Sequence, residues 1–500
     1  MNKENPFLRY DILMIGILLA GIGLRLYGLG TESLWLDEAA TTIRAQYDLD
    51  RLFGILKFVG GNPPLHTLII HYWIKLFGAS EISVRLPSVI FSVISILMTY
   101  KIAALLFDKK TAMIGALLIA LSSYHVYYAQ EARPYALMAM LSLFSMYYFI
   151  KLLTRPNALL AVGYLLSCSL LLYTHYYGGF IILAQNIYLG SMWLLTSDYR
   201  LRWKRWFLLQ GILGASFLPW LHILIRKTIQ IQSGKLPIPE PWISDIIQSL
   251  KLFSGSNTLI GLLFPLLALG SLVIVSRRQG TLERKNFFTS LNRCRWEFRC
   301  IDSSQTYLLG LWFLVPIAVA FILSKVSTPI FGSRYIIASS IAFYILIAKG
   351  LVNLNQKHIT ILTLAVILLL YPLKNIYNYR QVNKEPWREA VGLVEKNART
   401  DDLILIHAFY CLDYPYTYYA QRSDLTIKTF PSDTLAINQE NIKDLPPLIR
   451  NHNRIWVIMS HKATNHEWIN DTLEETFRLA AHHQFLDIDV YLYEKLDKKK

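Results

Sequence analysis

Eleven apolar stretches, separated by polar or basic turns, limit this chain to one kind of fold. They cover residues 11–29, 84–106, 111–128, 135–153, 158–174, 177–196, 206–225, 256–276, 305–324, 335–350 and 357–373. A helix crossing the hydrocarbon core of a bilayer needs roughly 17–25 apolar residues. Each stretch is close to that length, the last two being the shortest. Backbone N–H and C=O groups find no water in lipid, so stretches of this length must be helices. Hydrophobic residues make up 54% of the 500, charged residues 17%, and mean hydropathy is +0.34. The sequence predicts a polytopic α-helical membrane protein.

The 50 Lys and Arg outnumber the 34 Asp and Glu, giving a net charge of +16. In a water-soluble chain that excess would suggest nucleic acid. Here much of it lies in short loops between apolar runs, so it reports membrane topology and excludes nucleic acid as a partner. Asp108-Lys109-Lys110, Lys151 with Arg155, Arg200 to Arg205, Arg277 to Arg299, and Lys349 with Lys357 and His358 fall in every second loop. Those loops are therefore cytoplasmic, and Lys3 and Arg9 put the N-terminus with them. No cleavage site follows the first apolar run, which is expected to remain as an anchor. The opposite loops, 31–81, 129–134, 173–178, 226–255 and 325–334, then face outward. An odd number of spans also places the tail outside. The expected location is the cell membrane, crossed many times. Cys168, Cys294, Cys300 and Cys411 follow no disulfide or metal spacing.

The organisation predicted is a membrane domain over 1–377 and a small extracytoplasmic α/β domain over 378–500. At about fifty residues the first outer loop, 31–81, far exceeds an ordinary connection. Asp50, Gly54 and Lys57 recur at helical spacing against Leu52, Phe53, Leu56 and Val59. Thr67, His71 and Lys75 recur against Leu68, Ile69, Tyr72 and Leu76. Both read as amphipathic helices lying in the membrane interface, broken apart by Asn62-Pro63-Pro64. In the tail, Leu403–His407, Ile455–Ser460 and Leu486–Tyr493 read as strands, and 387–397 and 470–481 as helices.

The chemistry-bearing residues concentrate at the outer ends of spans. Asp37 and Glu38 open a predicted helix over 38–46 directly after Trp35. Acidic residues in a first helical turn also complement the helix dipole. Tyr127 to Tyr135 holds Gln130, Glu131 and Arg133, which a surface ion pair would also explain. His175 lies among Tyr173, Tyr176 and Tyr177, and Arg334-Tyr335 opens a later span. Tyrosines there are expected as an aromatic belt, and an arginine there can snorkel or hold a lipid phosphate. These pieces suit sugar transfer from a lipid phosphate. A carboxylate takes the proton of an acceptor hydroxyl as it attacks the anomeric carbon, and cations hold the departing phosphate.

Five segments in order carry a family resemblance: Leu34-Trp35-Leu36-Asp37-Glu38, Asn62-Pro63-Pro64-Leu65-His66, Glu81 to Ser88, Gln130 to Tyr135, and Phe331 to Tyr335. Over residues of about 10–340 the chain resembles the GT-C superfamily of integral-membrane glycosyltransferases. It is most similar to the bacterial branch related to protein O-mannosyltransferases and to the aminoarabinose transferase of lipid A. The resemblance implies a polyprenyl-phosphate sugar donor, an inverting mechanism and a site on the outer face. It makes Asp37 the general base and Glu38 a supporting catalytic residue. Arg334, Arg133, Glu131, His66, His175 and Tyr335 become the candidates for binding donor phosphate and substrate. Some relatives bind a divalent ion; here Glu38, His66 and Glu131 are the candidate ligands, with no paired-histidine motif to support them. The sugar, mannose-like or another hexose or pentose, is left open. So is the acceptor, which can be a glycan, a lipid or a protein. The alternatives are a flippase or transporter of lipid-linked sugars, and a surface-glycan polymerase or ligase. Against the transporter, few charges lie mid-span and no repeated halves are visible.

Overall fold

The structure, a computed structural model, describes residues 6–58, 62–195, 203–232, 240–277, 296–300, 304–327, 329–407, 413–431, 437–460 and 465–496. Lys3, Arg200, Arg202, Cys294, Cys411 and residues 278–295 of the long basic loop lie outside them. The chain divides into two compact units. The first comprises Met1–Tyr27, Phe53–Ile69 and Arg85–Tyr377; the second comprises Gly28–Leu52, Ile70–Val84 and Asn378–Lys500.

The helices, in chain order, are α1 (Pro6–Leu26), α2 (Leu36–Gln46), α3 (Leu49–Phe58), α4 (Leu65–Phe77), α5 (Glu81–Leu106), α6 (Lys109–Leu121), α7 (Ser123–Ala129) and α8 (Tyr135–Thr154). They continue with α9 (Ala158–Leu172), α10 (Gly178–Leu195), α11 (Trp203–Gln232), α12 (Ile243–Phe253), α13 (Thr258–Gly270), α14 (Ser304–Val326), α15 (Ile337–Asn353) and α16 (Lys357–Arg380). Each of the predicted apolar stretches falls on one of these helices or on a bent pair. Among the described residues, six helices are long and apolar enough to cross a membrane, or up to eight if the bent pairs α6–α7 and α12–α13 each count as one span. The stretch 158–174 is the shorter helix α9. The stretch 256–276 stays helical only to Gly270, after which strand β1 (Val273–Arg277) pairs antiparallel with β2 (Trp296–Cys300).

α15 sits at the centre of the first unit. It is apolar all round and buried along nearly its whole length. Gly350 lets α13 come against it: a Cβ there would lie 1.7 Å from the Leu267 carbonyl oxygen. Small residues are how membrane helices approach closely. Outer helices instead leave leucines and isoleucines exposed, such as Ile15 and Leu19 on α1 and Leu362 and Leu369 on α16. With no drive to hide apolar groups from lipid, that exposure is the expected state.

The two bent pairs are where backbone carbonyls lose their helical partners. α6 and α7 meet at 57°, α12 and α13 at 94°. At the first break, buried Arg25 donates to the Ile119 carbonyl (3.0 Å) and the Ala120 carbonyl (2.9 Å). It also reaches Gly21 O and Ser92 Oγ, and Asn375 Nδ2 donates to Leu121 O at 3.0 Å. At the second break, the hydroxyls of Tyr344 and Tyr371 donate to Phe253 O at 2.7 and 2.8 Å. The chain then turns through Gly255 and Ser256, both with positive φ, and Asn257 caps α13.

The tail is an α/β fold. β3 (Leu403–His407), β4 (Thr426–Thr429), β5 (Arg454–Ser460), β6 (Phe477–Phe485) and β7 (Ile488–Lys495) form one sheet in the order β4-β3-β5-β7-β6. β4, β3 and β5 run parallel, while β7 and β6 are antiparallel. Alternation splits each central strand between two cores. Ile404, Ile406, Trp456 and Ile458 pack with Trp387, Val391 and Val394 of α17 (Trp387–Asn397). Leu403, Leu405, Ile455 and Val457 pack on the other face, against α19 (Leu445–Ile449) and α20 (Glu467–Glu474). Helix α18 (Tyr414–Tyr419) precedes β4.

One expectation needs correction. Residues 470–481 are not one helix: α20 ends at Glu474 and β6 begins at Phe477. β6 pairs with β7 across a tight turn in which Asp487 has φ of 56°, so the hairpin ladder overrides helix propensity. On α4 the polar stripe is split: His71 is buried, with Nδ1 2.8 Å from the Ala45 carbonyl, while Lys75 is exposed together with Tyr72, Leu76 and Phe77.

Replacing Arg25 with Met strands two carbonyls in the bent α6–α7 pair. Orphaned buried acceptors cost about 1–3 kcal/mol each. The thermal midpoint in detergent is expected to fall clearly for Arg25→Met and by less for Asn375→Leu, which orphans Leu121 O alone. An unchanged midpoint for Arg25→Met contradicts this role.

Candidate active site

The acidic pair belongs to the second unit. Trp35 is extended and gives no side-chain cap to α2, so Asp37 and Glu38 meet the helix start in its first turn. The rest of the helix is made of residues that tolerate burial: Ala39, Ala40, Thr41, Thr42 and Ala45. Asp37 is 6% exposed and Glu38 is fully enclosed. A carboxylate in that position needs a cation, and Lys384 Nζ lies 3.0 Å from Glu38 Oε2, its own side chain 3% exposed. Breaking one side of such a buried pair typically costs about 3–5 kcal/mol.

The loop before α2 is held by the same stretch of chain that supplies Lys384. The Asn383 N–H donates to Glu32 Oε1 at 2.6 Å, and Ser33 Oγ donates to Glu389 Oε2 at 2.9 Å. The Leu34 N–H donates to the Tyr419 hydroxyl at 2.6 Å. Glu81 accepts from both Tyr419 and Arg388. Burial and the neighbouring Glu81 carboxylate push the Tyr419 hydroxyl well up, so it stays a donor.

The remaining candidates belong to the first unit. A short 3-10 turn, Ser333–Ile336, presents Arg334 and Tyr335. The Tyr124 hydroxyl donates to Ser333 O at 2.5 Å, Ser249 Oγ lies 2.9 Å from Ser333 Oγ, and the Tyr177 hydroxyl donates to Ile330 O at 2.7 Å. Gly332 leaves room for the Tyr335 ring, which a Cβ there would approach to 3.0 Å. The Arg334 guanidinium lies 5.1 Å from that ring's centroid, and Arg133 lies 5.9 Å from the Tyr135 ring. Ring centroids separate Tyr335 from His175 by 5.1 Å, from Tyr177 by 5.4 Å and from Tyr135 by 6.1 Å. Glu131 is buried, which excludes an ordinary surface ion pair.

His175 accepts the Tyr177 N–H on Nδ1 at 3.2 Å, which leaves the proton on Nε2. Burial, then the cations Arg133, Lys227 and Arg334, push this imidazole down to about 3. Burial and then Arg133 push His66 down to about 3 as well, and its enclosed Nε2 has no hydrogen-bond partner among the described residues. Both histidines are therefore neutral at pH 7. Arg133, Lys227 and Arg334 together create a positive field around an uncharged ring, an arrangement suited to an anion.

Glu38, His66 and Glu131 do not come together as a metal set. Among the described residues no group of three or more His, Cys, Asp or Glu side chains can hold an ion. The Glu38 carboxylate is paired with Lys384.

Residues 61–222 match the family described as dolichyl-phosphate-mannose-protein mannosyltransferase. A search of curated protein sequences finds no match. The structure is similar to crystal structures of ArnT from Cupriavidus metallidurans, bound to undecaprenyl phosphate and in the apo state. The TM-scores are 0.60 and 0.59, the identities 12% and 13%, and the shared portion covers 97% and 98% of this chain and 98% of that chain. It is similar, with a TM-score of 0.52 and 12% identity, to the Archaeoglobus fulgidus oligosaccharyltransferase in complex with Zn and sulfate, covering 89% of this chain and 67% of that one. The arabinofuranosyltransferase AftD from Mycobacteria gives a TM-score of 0.51 and 12% identity over 97% of this chain and 41% of that one. The chain shares its fold with these structures, over nearly the whole length of ArnT.

Two residues of interest emerge only from the structure. Lys227 had a signal in the sequence: Arg226-Lys227 is basic at the start of a loop predicted to be outer, against the charge rule. Lys384 had none, since its partner lies 346 residues earlier.

The two buried histidines fix the sign of a pH effect. Free histidine titrates near 6.5, and in the folded chain His66 and His175 titrate near 3. Between those values the unfolded chain binds protons that the folded chain refuses, so stability falls as pH drops below 6.5. The slope is up to about 1.4 kcal/mol per pH unit for each histidine. The thermal midpoint is expected to drop more between pH 7.5 and 5.5 in the wild type than in His66→Asn. Equal drops contradict the assignment.

Proposed function

We propose that the protein transfers a sugar from a polyprenyl-phosphate carrier to an extracytoplasmic acceptor, with inversion at the anomeric carbon. The observation that carries this reading is the grouping of Arg133, Lys227 and Arg334 around neutral His175. A phosphate monoester leaving a sugar carries charge that such a group stabilises. The likeness to ArnT, whose crystal structure holds undecaprenyl phosphate, supports a polyprenyl carrier as the donor lipid.

Asp37 acts as general base. It takes the proton of the acceptor hydroxyl as that oxygen bonds to the anomeric carbon. The bond from that carbon to the phosphate oxygen breaks on the opposite face, and the phosphate keeps the electron pair. Arg334 and Arg133 hold the phosphate through planar donor forks, and Lys227 adds a point charge. Neutral His175 offers Nε2–H as a donor without repelling a nearby cation. Glu131, His66 and Tyr335 shape the pocket for the sugar. The basic loops put the N-terminus in the cytoplasm and the tail outside the cell membrane. Charges concentrated at span ends favour transfer over a flippase, which would bury them near the bilayer midplane.

In a membrane assay with a polyprenyl-phosphate sugar, Asp37→Asn is expected to lower turnover by about 10²–10⁴, the usual share of general-base catalysis. Its melting should stay near the wild type. Near-normal turnover removes Asp37 as the base. Arg334→Met is expected to raise the donor KM by about tenfold, since loss of one charge-assisted contact costs about 1.5–3 kcal/mol.

A further inference from the structure

Glu38 looks like half of a catalytic pair, yet its carboxylate is spoken for. It is fully enclosed and 3.0 Å from the equally buried Lys384 ammonium. Successive residues on a helix point about 100° apart, so the carboxylates of Asp37 and Glu38 diverge. The segment that delivers the lysine is pinned on both sides. Asn383 donates to Glu32, and Arg388 pairs with Glu81 and reaches the carbonyl of Gly30. The charges around this pair are matched locally. Glu81 has Arg388 and Tyr419, Glu385 accepts from the Trp387 indole, and Glu389 accepts from Ser33. Arg44 lies over the Tyr414 ring, and His71 is bonded to Ala45 O.

We propose that Lys384 is a positioning residue for catalysis, acting through Glu38. Its ammonium compensates the Glu38 carboxylate, so Asp37 does not lie beside a second, uncompensated negative charge in the first turn of α2. The inference rests on Asp37 being the base. The segment 383–389 is then part of the catalytic apparatus, so the tail domain cannot serve only as an acceptor-binding module. Removing the ammonium leaves two adjacent carboxylates in an enclosed place. Like charges there raise each other's proton affinity, and one proton is retained at neutral pH.

The test uses the full-length protein in detergent and in membranes. Lys384→Met is expected to reduce kcat by about tenfold or more at pH 7, with the donor KM changed little. The rising limb of its activity–pH profile should move up by about one unit or more. Adding Glu38→Gln to Lys384→Met removes both charges together. This double variant is expected to melt higher than Lys384→Met and to return the profile to the wild-type position. An unmoved profile in Lys384→Met, or a double variant no better than the single one in melting and profile, overturns the proposal. Where Lys384→Met does not accumulate, the double variant decides alone: accumulation with a wild-type profile supports the proposal, and failure to accumulate overturns it. Asp37→Asn in the same assay separates this idea from the function it rests on. If Asp37→Asn turns over normally, the assignment of the base fails. If it is inactive and the Lys384→Met profile is unmoved, only the role of Lys384 fails.

Discussion

Every backbone carbonyl at membrane depth needs a donor, and this fold depends on how that demand is met where helices break. A helix that stops short inside the apolar layer exposes acceptors that lipid cannot satisfy. Here the donors are side chains from distant helices. Arg25 reaches Ile119 and Ala120, Asn375 reaches Leu121, and Tyr344 and Tyr371 share Phe253. These contacts let the chain turn sharply after α6. The turn sends residues 123–135 on a new course, and Glu131 and Arg133 lie on it. The 3-10 turn carrying Arg334 is fixed in part by Tyr124, a residue of that redirected segment. The positions of Arg133 and Arg334 therefore trace back in part to satisfied carbonyls.

Charge is managed differently in the two units. In the second, the burial of Glu38 is matched by one cation, Lys384, with little solvent near either. In the first, Arg133, Lys227 and Arg334 act together on an imidazole that is kept neutral. A matched pair such as Glu38 and Lys384 holds structure in place.

The membrane-spanning pattern was legible because lipid imposes a length and a composition on every span. The helices α3 and α4 were legible from their periodicity. The acidic pair stood out because it directly follows an apolar run. The breaks at Ser122 and Ser254 were not legible, since they depend on Arg25, Asn375, Tyr344 and Tyr371, each far away in the chain. Lys384 was hidden for the same reason. β6 was misread as helix because its sequence lacks a strand's alternation, and only the ladder with β7 makes it one.

The central claim is that Asp37 drives transfer of a sugar away from a polyprenyl phosphate. It is tested most directly by mass spectrometry of lipid-linked sugars in cells whose only copy of the protein carries Asp37→Asn. The account predicts that a polyprenyl phosphate bearing a sugar accumulates relative to cells with the wild-type chain, which would also identify the sugar. An unchanged lipid-linked sugar profile, with the variant present in the membrane at wild-type level, contradicts it.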